Sequence, residues 1–239
     1  MSIDLYPALD LGDTEVAVAL ERTAIAGAVA PVGAASLLYR NSDEYWPDHA
    51  ADDLVTRHPG ITYVNLAEDG ASVGDVFGGQ LVALDESEEP TLVTLTVGGN
   101  DLLSAFANKP KLPLLMQIAR DVGDACELLL DAIRAQCPQS VVIVNTVYDP
   151  SDGTRQIEGA FEHMAELPIE ALDALNDRLR EIATGKGALL ADAYRHFLGH
   201  GARAPEEDRW YWKRSPLEPN AAGANGLREL WLATLDAAG

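Results

Sequence analysis

An apolar run, Val93-Thr94-Leu95-Thr96-Val97, empties directly into Gly98-Gly99-Asn100-Asp101 and then a helical stretch. The run carries no charge, the pattern of a strand buried on both faces, as central parallel strands are. Two glycines let the backbone turn sharply at its carboxyl end. In open α/β sheets ligands bind beyond the carboxyl ends of the strands, so an Asn at that point can aim its amide N–H groups into a pocket. Donors held about 3 Å from a developing oxyanion contribute roughly 3 to 4 kcal/mol of transition-state stabilisation in acyl transfer. The plainer alternative is that Asn100 and Asp101 cap the helix that follows.

Other chemistries find less support. Cys126 and Cys137 lie 11 residues apart without a neighbouring His, so neither metal-ligand spacing nor a disulfide framework is expected and both read as reduced thiols. No phosphate-cradling Gly-rich loop and no cluster of metal-ligating residues occurs, so no cofactor and no metal are implied. With 38 acidic against 17 basic residues the formal charge is −21, which disfavours nucleic acid phosphates and anionic membrane surfaces as partners. The amino terminus, MSIDLYPALDLGD, lacks the basic start and apolar core of a signal peptide, and no segment reaches the roughly 18 apolar residues of a membrane span. A cytoplasmic location is expected; oligomeric state is not legible.

Four apolar runs, at Tyr63 to Leu66, Leu92 to Val97, Val141 to Val147 and Ala188 to Ala191, read as strands. Between them, spacings of three and four predict helices at about Asp43 to Arg57, Val73 to Leu84, Leu112 to Ala135, Pro168 to Thr184 and Ala221 to Ala237. Their alternation predicts a mainly parallel sheet covered on both faces, a three-layer α/β/α sandwich in one domain spanning 1–239. Val16 to Leu20 and Ile25 to Val32 fit a hairpin or an extension, and neither ends in a catalytic turn.

Three separated segments, NLAEDGAS at 65–72, TVGGNDLL at 96–103 and EPNAAGANGLRELWL at 218–232, together resemble the SGNH, or GDSL, hydrolases. The resemblance implies a flavodoxin-like α/β/α fold and hydrolysis of a small-molecule ester. It implies a nucleophilic Ser in a Gly-Asp-Ser turn, a Gly, an Asn in Gly-x-Asn-Asp and a carboxyl-terminal Asp-x-x-His. By that resemblance Gly70 supplies a backbone N–H to the oxyanion hole and Asn100 the side-chain donor. Gly99, Asp101, Arg40 and Asn220 are expected to contact substrate.

The catalytic half departs from the family pattern. Ser215-Pro216-Leu217-Glu218 stands where Asp-x-x-His would precede Pro-Asn. A carboxylate of ordinary pKa, roughly 4.3, is a weak base for a Ser hydroxyl unless burial raises it; Trp210, Tyr211 and Trp212 are candidates to supply that burial. The alternative is that Glu218 caps the last helix with Pro219 in its first turn. No Gly-Asp-Ser occurs. The opening MSIDLYP resembles the stretch just after the nucleophile in relatives that read Gly-Asp-Ser-Met-Ser-Ile-Asp, so the nucleophile and a first strand are expected upstream of Met1, unless the chain is a non-catalytic relative that keeps the pocket for binding.

Within the chain, Ser2 and Ser36 are the substitutes to consider, each with a plainer reading as a terminal or turn residue. Tyr39, Arg40, Asn41 and Trp46 are expected at the pocket mouth, with Arg40 suited to a negatively charged or carbonyl-bearing substrate. Among the histidines, His200 in DAYRHFLGHG is placed to act as base, oriented by Asp192, or is simply a surface or packing residue. His49 and His58 are expected to face solvent, and His163 has no motif around it.

Overall fold

The computed structural model describes residues 2–4 by their backbone, and residues 33–68, 70–157, 166–212 and 216–239. Five strands form one sheet: β1 (Ser2–Asp4), β2 (Tyr63–Asn65), β3 (Thr91–Leu95), β4 (Ser140–Asn145) and β5 (Leu189–Ala191), in the order β2-β1-β3-β4-β5. Every pairing is parallel, so each crossover must return over a face of the sheet. The helices are α1 (Ala34–Tyr39), α2 (Leu54–Arg57), α3 (Val73–Asp75), α4 (Leu81–Ala83), α5 (Gly99–Ala107), α6 (Leu112–Gln136), α7 (Ile169–Lys186), α8 (Ala193–Phe197) and α9 (Ala221–Asp236). The expected three-layer α/β/α sandwich is what forms.

Two apolar cores flank the sheet. Val93, Leu95 and Val97 point to one, packed by Leu115, Leu129 and Ile133 of α6 and Leu175 and Leu179 of α7. On the other, Ile143 and Ala191 meet Leu37 and Leu38 of α1 and Leu227 and Trp231 of α9. One hydrogen-bonded chain crosses from α9 into the sheet: Trp231 Nε1 donates to Asn145 Oδ1 at 2.7 Å, and Asn145 Nδ2 donates to Leu95 O at 3.2 Å. Arg228, fully buried on α9, donates to Asn41 and Asn225, and burial holds its guanidinium below the usual arginine range.

Several expected elements change shape. The helix expected over Asp43 to Arg57 breaks into a 3-10 turn at Pro47–His49 and the short α2, because Pro47 starts a new turn and Asp53 caps the next by accepting from Thr56 N–H at 2.7 Å. Val73 to Leu84 is helical, with a π-turn at Val76–Gln80 between α3 and α4. The interior slot of the sheet is filled by β1. Val16 to Leu20, Ile25 to Val32 and His163 lie outside the described residues.

Replacing Asn145 with Ala leaves the Trp231 indole N–H unpaired beneath fully buried side chains and withdraws a side-chain donor from the Leu95 carbonyl. At about 1 to 3 kcal/mol for the orphaned indole N–H, Asn145→Ala is expected to lower the free energy of unfolding in urea by about 1 to 3 kcal/mol; a loss below about 0.5 kcal/mol contradicts this role.

Candidate active site

Gly98, three residues past the end of β3, has φ +103°, a left-handed conformation in which an added Cβ would meet Leu175 Cδ2 at 3.0 Å. The chain thereby reverses tightly and starts α5 at Gly99, with Gly98 itself the N-cap. Asn100 and Asp101 therefore do not cap α5. Their side chains reach sideways to a second turn at 70–73: Asn100 Nδ2 donates to Ala71 O at 3.1 Å, and Asp101 accepts from Val73 N–H at 3.1 and 3.3 Å.

That second turn is fixed from its own side as well. Gly70 adopts φ +76°. Ser72 and Asp75 form a reciprocal capping box at the start of α3, with Ser72 N–H donating to Asp75 Oδ2 at 2.8 Å. The Gly70 block and the Asn100 block, 30 residues apart in the chain, are thus hydrogen-bonded to each other at the carboxyl end of the sheet. Burial pushes the Asp101 carboxyl above the ordinary aspartate range, against the lowering effect of the Val73 N–H.

Beyond this edge opens a cavity of about 110 Å³. Leu102, Leu103 and Phe106 of α5, Val147 and Leu172 make an apolar wall, and Thr96, Asn100, Tyr148, Asp149 and Glu218 are the polar residues of the lining. Asn176 clamps the Val147 backbone from α7, accepting from its N–H at 2.7 Å and donating to its carbonyl at 2.8 Å. Asp149 is buried and accepts from Ser151 N–H, Ser151 Oγ and Gly153 N–H at 2.7 to 2.9 Å. These bonds commit its carboxylate to shaping the wall.

Glu218 lines the same cavity as Asn100 and Gly99. It does not cap α9. Asn220 is the N-cap, accepting from Gly223 N–H at 3.0 Å, and Pro219 precedes the helix rather than occupying its first turn. Glu218 is held in place by a short antiparallel pairing, in which Trp212 N–H donates to Glu218 O at 2.9 Å and Asn220 N–H to Trp210 O at 2.8 Å around the Tyr211–Pro219 bridge. The Asn220 side-chain amide donates to Arg209 O at 2.6 Å, so Asn220 is committed to this scaffold rather than to the cavity.

Other expected site residues stand elsewhere. Ser36 is buried on α1, against α9 on the opposite core from the apolar wall. Arg40 is exposed over the Tyr39 ring, Tyr39 stacks on Tyr63, Asn41 is buried beside Arg228, and Trp46 packs near that guanidinium. None of the four lines the cavity. His200 stacks on Trp210 at 3.8 Å and bonds Asp208 O through Nδ1. Asp192 instead holds Thr146 Oγ1 and Arg180, so it does not orient His200. Trp210 and Tyr211 pack on Phe197 rather than over Glu218. His49 sits half-buried within 3.1 Å of Glu229 rather than free in solvent, and His58 is exposed. Both cysteines are free and buried, and burial pushes the Cys126 thiol up to about 12.

Thr96, Tyr148 and Asp149 escaped sequence reasoning. Thr96 reads only as one more β-former in the strand, while Tyr148 and Asp149 reach the site through the turn after β4. The apolar run that ends at Val147 and passes into Tyr148-Asp149-Pro150 was the available signal. Among the described lining residues there is no Ser, Cys or His, no group of three potential metal ligands occurs among the described residues, and none of their helices is long and apolar enough to cross a membrane.

Comparison with known proteins places these features in context. The sequence pattern of the GDSL-like lipase/acylhydrolase family matches residues 26–225. A search of curated proteins finds no match. Among solved structures, an extracellular lipase from Streptomyces rimosus superposes with a TM-score of 0.56 at 20% identity, covering 100% of this chain and 99% of that chain. A phospholipase A1 from Streptomyces albidoflavus gives 0.57 at 18% identity over 99% and 98%. The lipase Lip_vut3 from a goat rumen metagenome gives 0.63 at 16% identity over 98% and 96%.

The Asp101 geometry sets a pH dependence. A carboxyl whose folded pKa lies above its unfolded value binds protons more tightly when folded, so stability falls as pH rises through that interval and stays lower above it. Asp101→Asn keeps an acceptor for Val73 N–H and removes the charge. The stability of the variant relative to the natural chain is expected to increase from pH 3 to pH 7 in urea titrations; a pH-independent difference contradicts it.

Proposed function

The chain belongs to the GDSL-like lipase/acylhydrolase family, and from that premise we propose that its sheet-edge cavity binds and hydrolyses a neutral carboxylic ester. The observation that carries the reading is the lateral tie of Asn100, which lines the cavity, to the carbonyl of Ala71, the residue that follows Gly70. In this reading a Ser hydroxyl, the nucleophile that the family resemblance implies and that none of the described lining residues supplies, attacks the ester carbonyl, its proton passes to a base, and the carbonyl oxygen takes up negative charge. Asn100 Nδ2–H and Gly70 N–H stabilise that oxyanion. Collapse expels the alcohol, which recovers the proton, and water then releases the acid from the acyl-enzyme.

Glu218 is the proton-handling residue of this reading, because it lines the cavity in the place that resemblance gives to the family's His. The apolar wall of Leu102, Phe106 and Leu172 suits the acyl chain. The activities of the structural neighbours, lipase and phospholipase A1, support ester bonds as the substrate class.

A second reading, a ligand-binding protein on the same fold, is favoured by the lack of Ser, Cys and His among the described lining residues. Hydrolysis of p-nitrophenyl butyrate separates the two. The hydrolase reading expects turnover above the uncatalysed rate, with Asn100→Ala lowering kcat/KM by about 100-fold and Glu218→Gln lowering kcat more than it changes KM. Turnover reduced less than about threefold by Asn100→Ala contradicts the oxyanion role. No turnover at all, with retained binding of an ester analogue, supports the binding protein.

A further inference from the structure

A charge acts on a ligand without touching it, and in a cleft with apolar walls its field is focused rather than screened. The lining of this cavity holds two acidic residues, Asp149 and Glu218, and among its described residues no Lys, Arg or His. Asp149 is buried, and the three groups that donate to its carboxylate, Ser151 N–H, Ser151 Oγ and Gly153 N–H, are all uncharged. Arg155, in the loop after Asp149, is held by Glu170, and Arg180 of α7 is held by Asp177 and Asp192. Arg40, the cation expected at the mouth, does not line the cavity.

Neighbouring groups register the resulting field. Burial pushes the Tyr211 hydroxyl up, and the Asp149 and Asp152 carboxylates push it further. The Tyr194 hydroxyl of α8 is raised by burial and then by Asp173 and Asp149. Asp173, next to the lining residue Leu172 on α7, is itself raised by burial, by Asp177 and, less strongly, by Asp149, against the lowering effect of Tyr194 and Arg180. Three elements around the cavity thus feel the negative charge of Asp149, in a chain whose formal charge is −21.

We propose that the cavity sorts ligands by charge, rejecting an ester or amide that carries an anionic group and favouring one that carries a quaternary ammonium, with Asp149 and Glu218 the residues that set this order. The assignment rests on reading the cavity as the substrate site, and names the charge carried by the part of the substrate outside its neutral ester linkage. A quaternary ammonium has no N–H to donate, so charge and not hydrogen bonding selects it. A carboxylate or phosphate in the same place meets two like charges with no described cation in the lining to offset them.

The test is calorimetric titration of the full chain with butyramides, which carry an ester-like carbonyl and are not readily hydrolysed. In one pair (2-butyramidoethyl)trimethylammonium is set against its neutral isostere N-(3,3-dimethylbutyl)butyramide; in the other N-butyryl-β-alanine is set against its terminal carboxamide. A unit charge about 10 Å away, at an effective dielectric constant of about 20, changes binding by about tenfold. The ammonium is therefore expected to bind at least about fivefold tighter than its isostere and the carboxylate at least about fivefold weaker than the carboxamide, both differences shrinking in about 0.5 M salt. Glu218→Gln and Asp149→Asn are each expected to narrow both differences by about twofold or more, and Glu218→Gln carries the test if Asp149→Asn does not fold. Glu89→Gln, at an exposed acid before β3 and so at the opposite end of the sheet, is expected to leave them unchanged. Members of either pair binding the natural chain within about twofold of each other, differences that survive the cavity variants, equal narrowing by Glu89→Gln, or no binding of any of these amides overturns the proposal. Hydrolysis is not read in this experiment. A chain that shows the charge order without cleaving esters sinks the hydrolase reading alone, and one that cleaves esters without the charge order sinks this proposal alone.

Discussion

Two hydrogen bonds running in opposite directions join the first turn of α5 to the turn at Gly70–Val73: Asn100 gives one to Ala71 O, and Asp101 takes one from Val73 N–H. Each partner lies beyond the end of a strand. Together they constrain each other, because shifting either turn breaks both bonds and leaves a half-buried carboxylate without its donor. In the proposed reading, oxyanion donors act by being in place before charge develops, and this mutual constraint supports that reading. The cost is visible in Asp101, whose carboxyl is driven up by burial.

The rest of the molecule serves that edge in layers. The parallel sheet brings the ends of β3 and β4 side by side, so that Gly99-Asn100 and Val147-Tyr148-Asp149 open on one cavity. Asn176 fixes Val147 from α7, and Asp149 gathers three donors from its own loop. On the far side, the short pairing of 210–212 with 218–220 sets Glu218 at the cavity before α9 begins. Asn145 and Trp231 lock α9 to the sheet beneath it. Positioning residues therefore reach the site from α7, α9 and three loops, while the groups offered to a ligand are few.

Much of this was legible in the sequence for definite physical reasons. Alternating apolar runs and helical spacings specified a parallel α/β sandwich, and an uncharged strand ending in Gly-Gly-Asn-Asp marked the edge where a site would lie. Local signals misled where a tertiary partner won. Asn100 and Asp101 look like caps, yet Gly98 with its positive φ takes that role and frees both side chains for the neighbouring turn. Glu218 before Pro219 looks like a helix start, yet Asn220 caps α9 one step later. His200 looked available as a base, but its aromatic neighbour Trp210 and the Asp208 carbonyl hold it in a scaffold. The apolar spacing over 43–57 promised one helix, and Pro47 and Asp53 divide it. Thr96 could not be singled out at all, because only the folded sheet shows which strand position meets the cavity.

Amide NMR during titration with N-methylbutyramide tests most directly whether the joined turns form one donor site. The account predicts that the Gly70 backbone N–H and the Asn100 side-chain N–H resonances both move and saturate with a single shared dissociation constant. Movement of only one of them, or of neither while resonances elsewhere saturate, would contradict it.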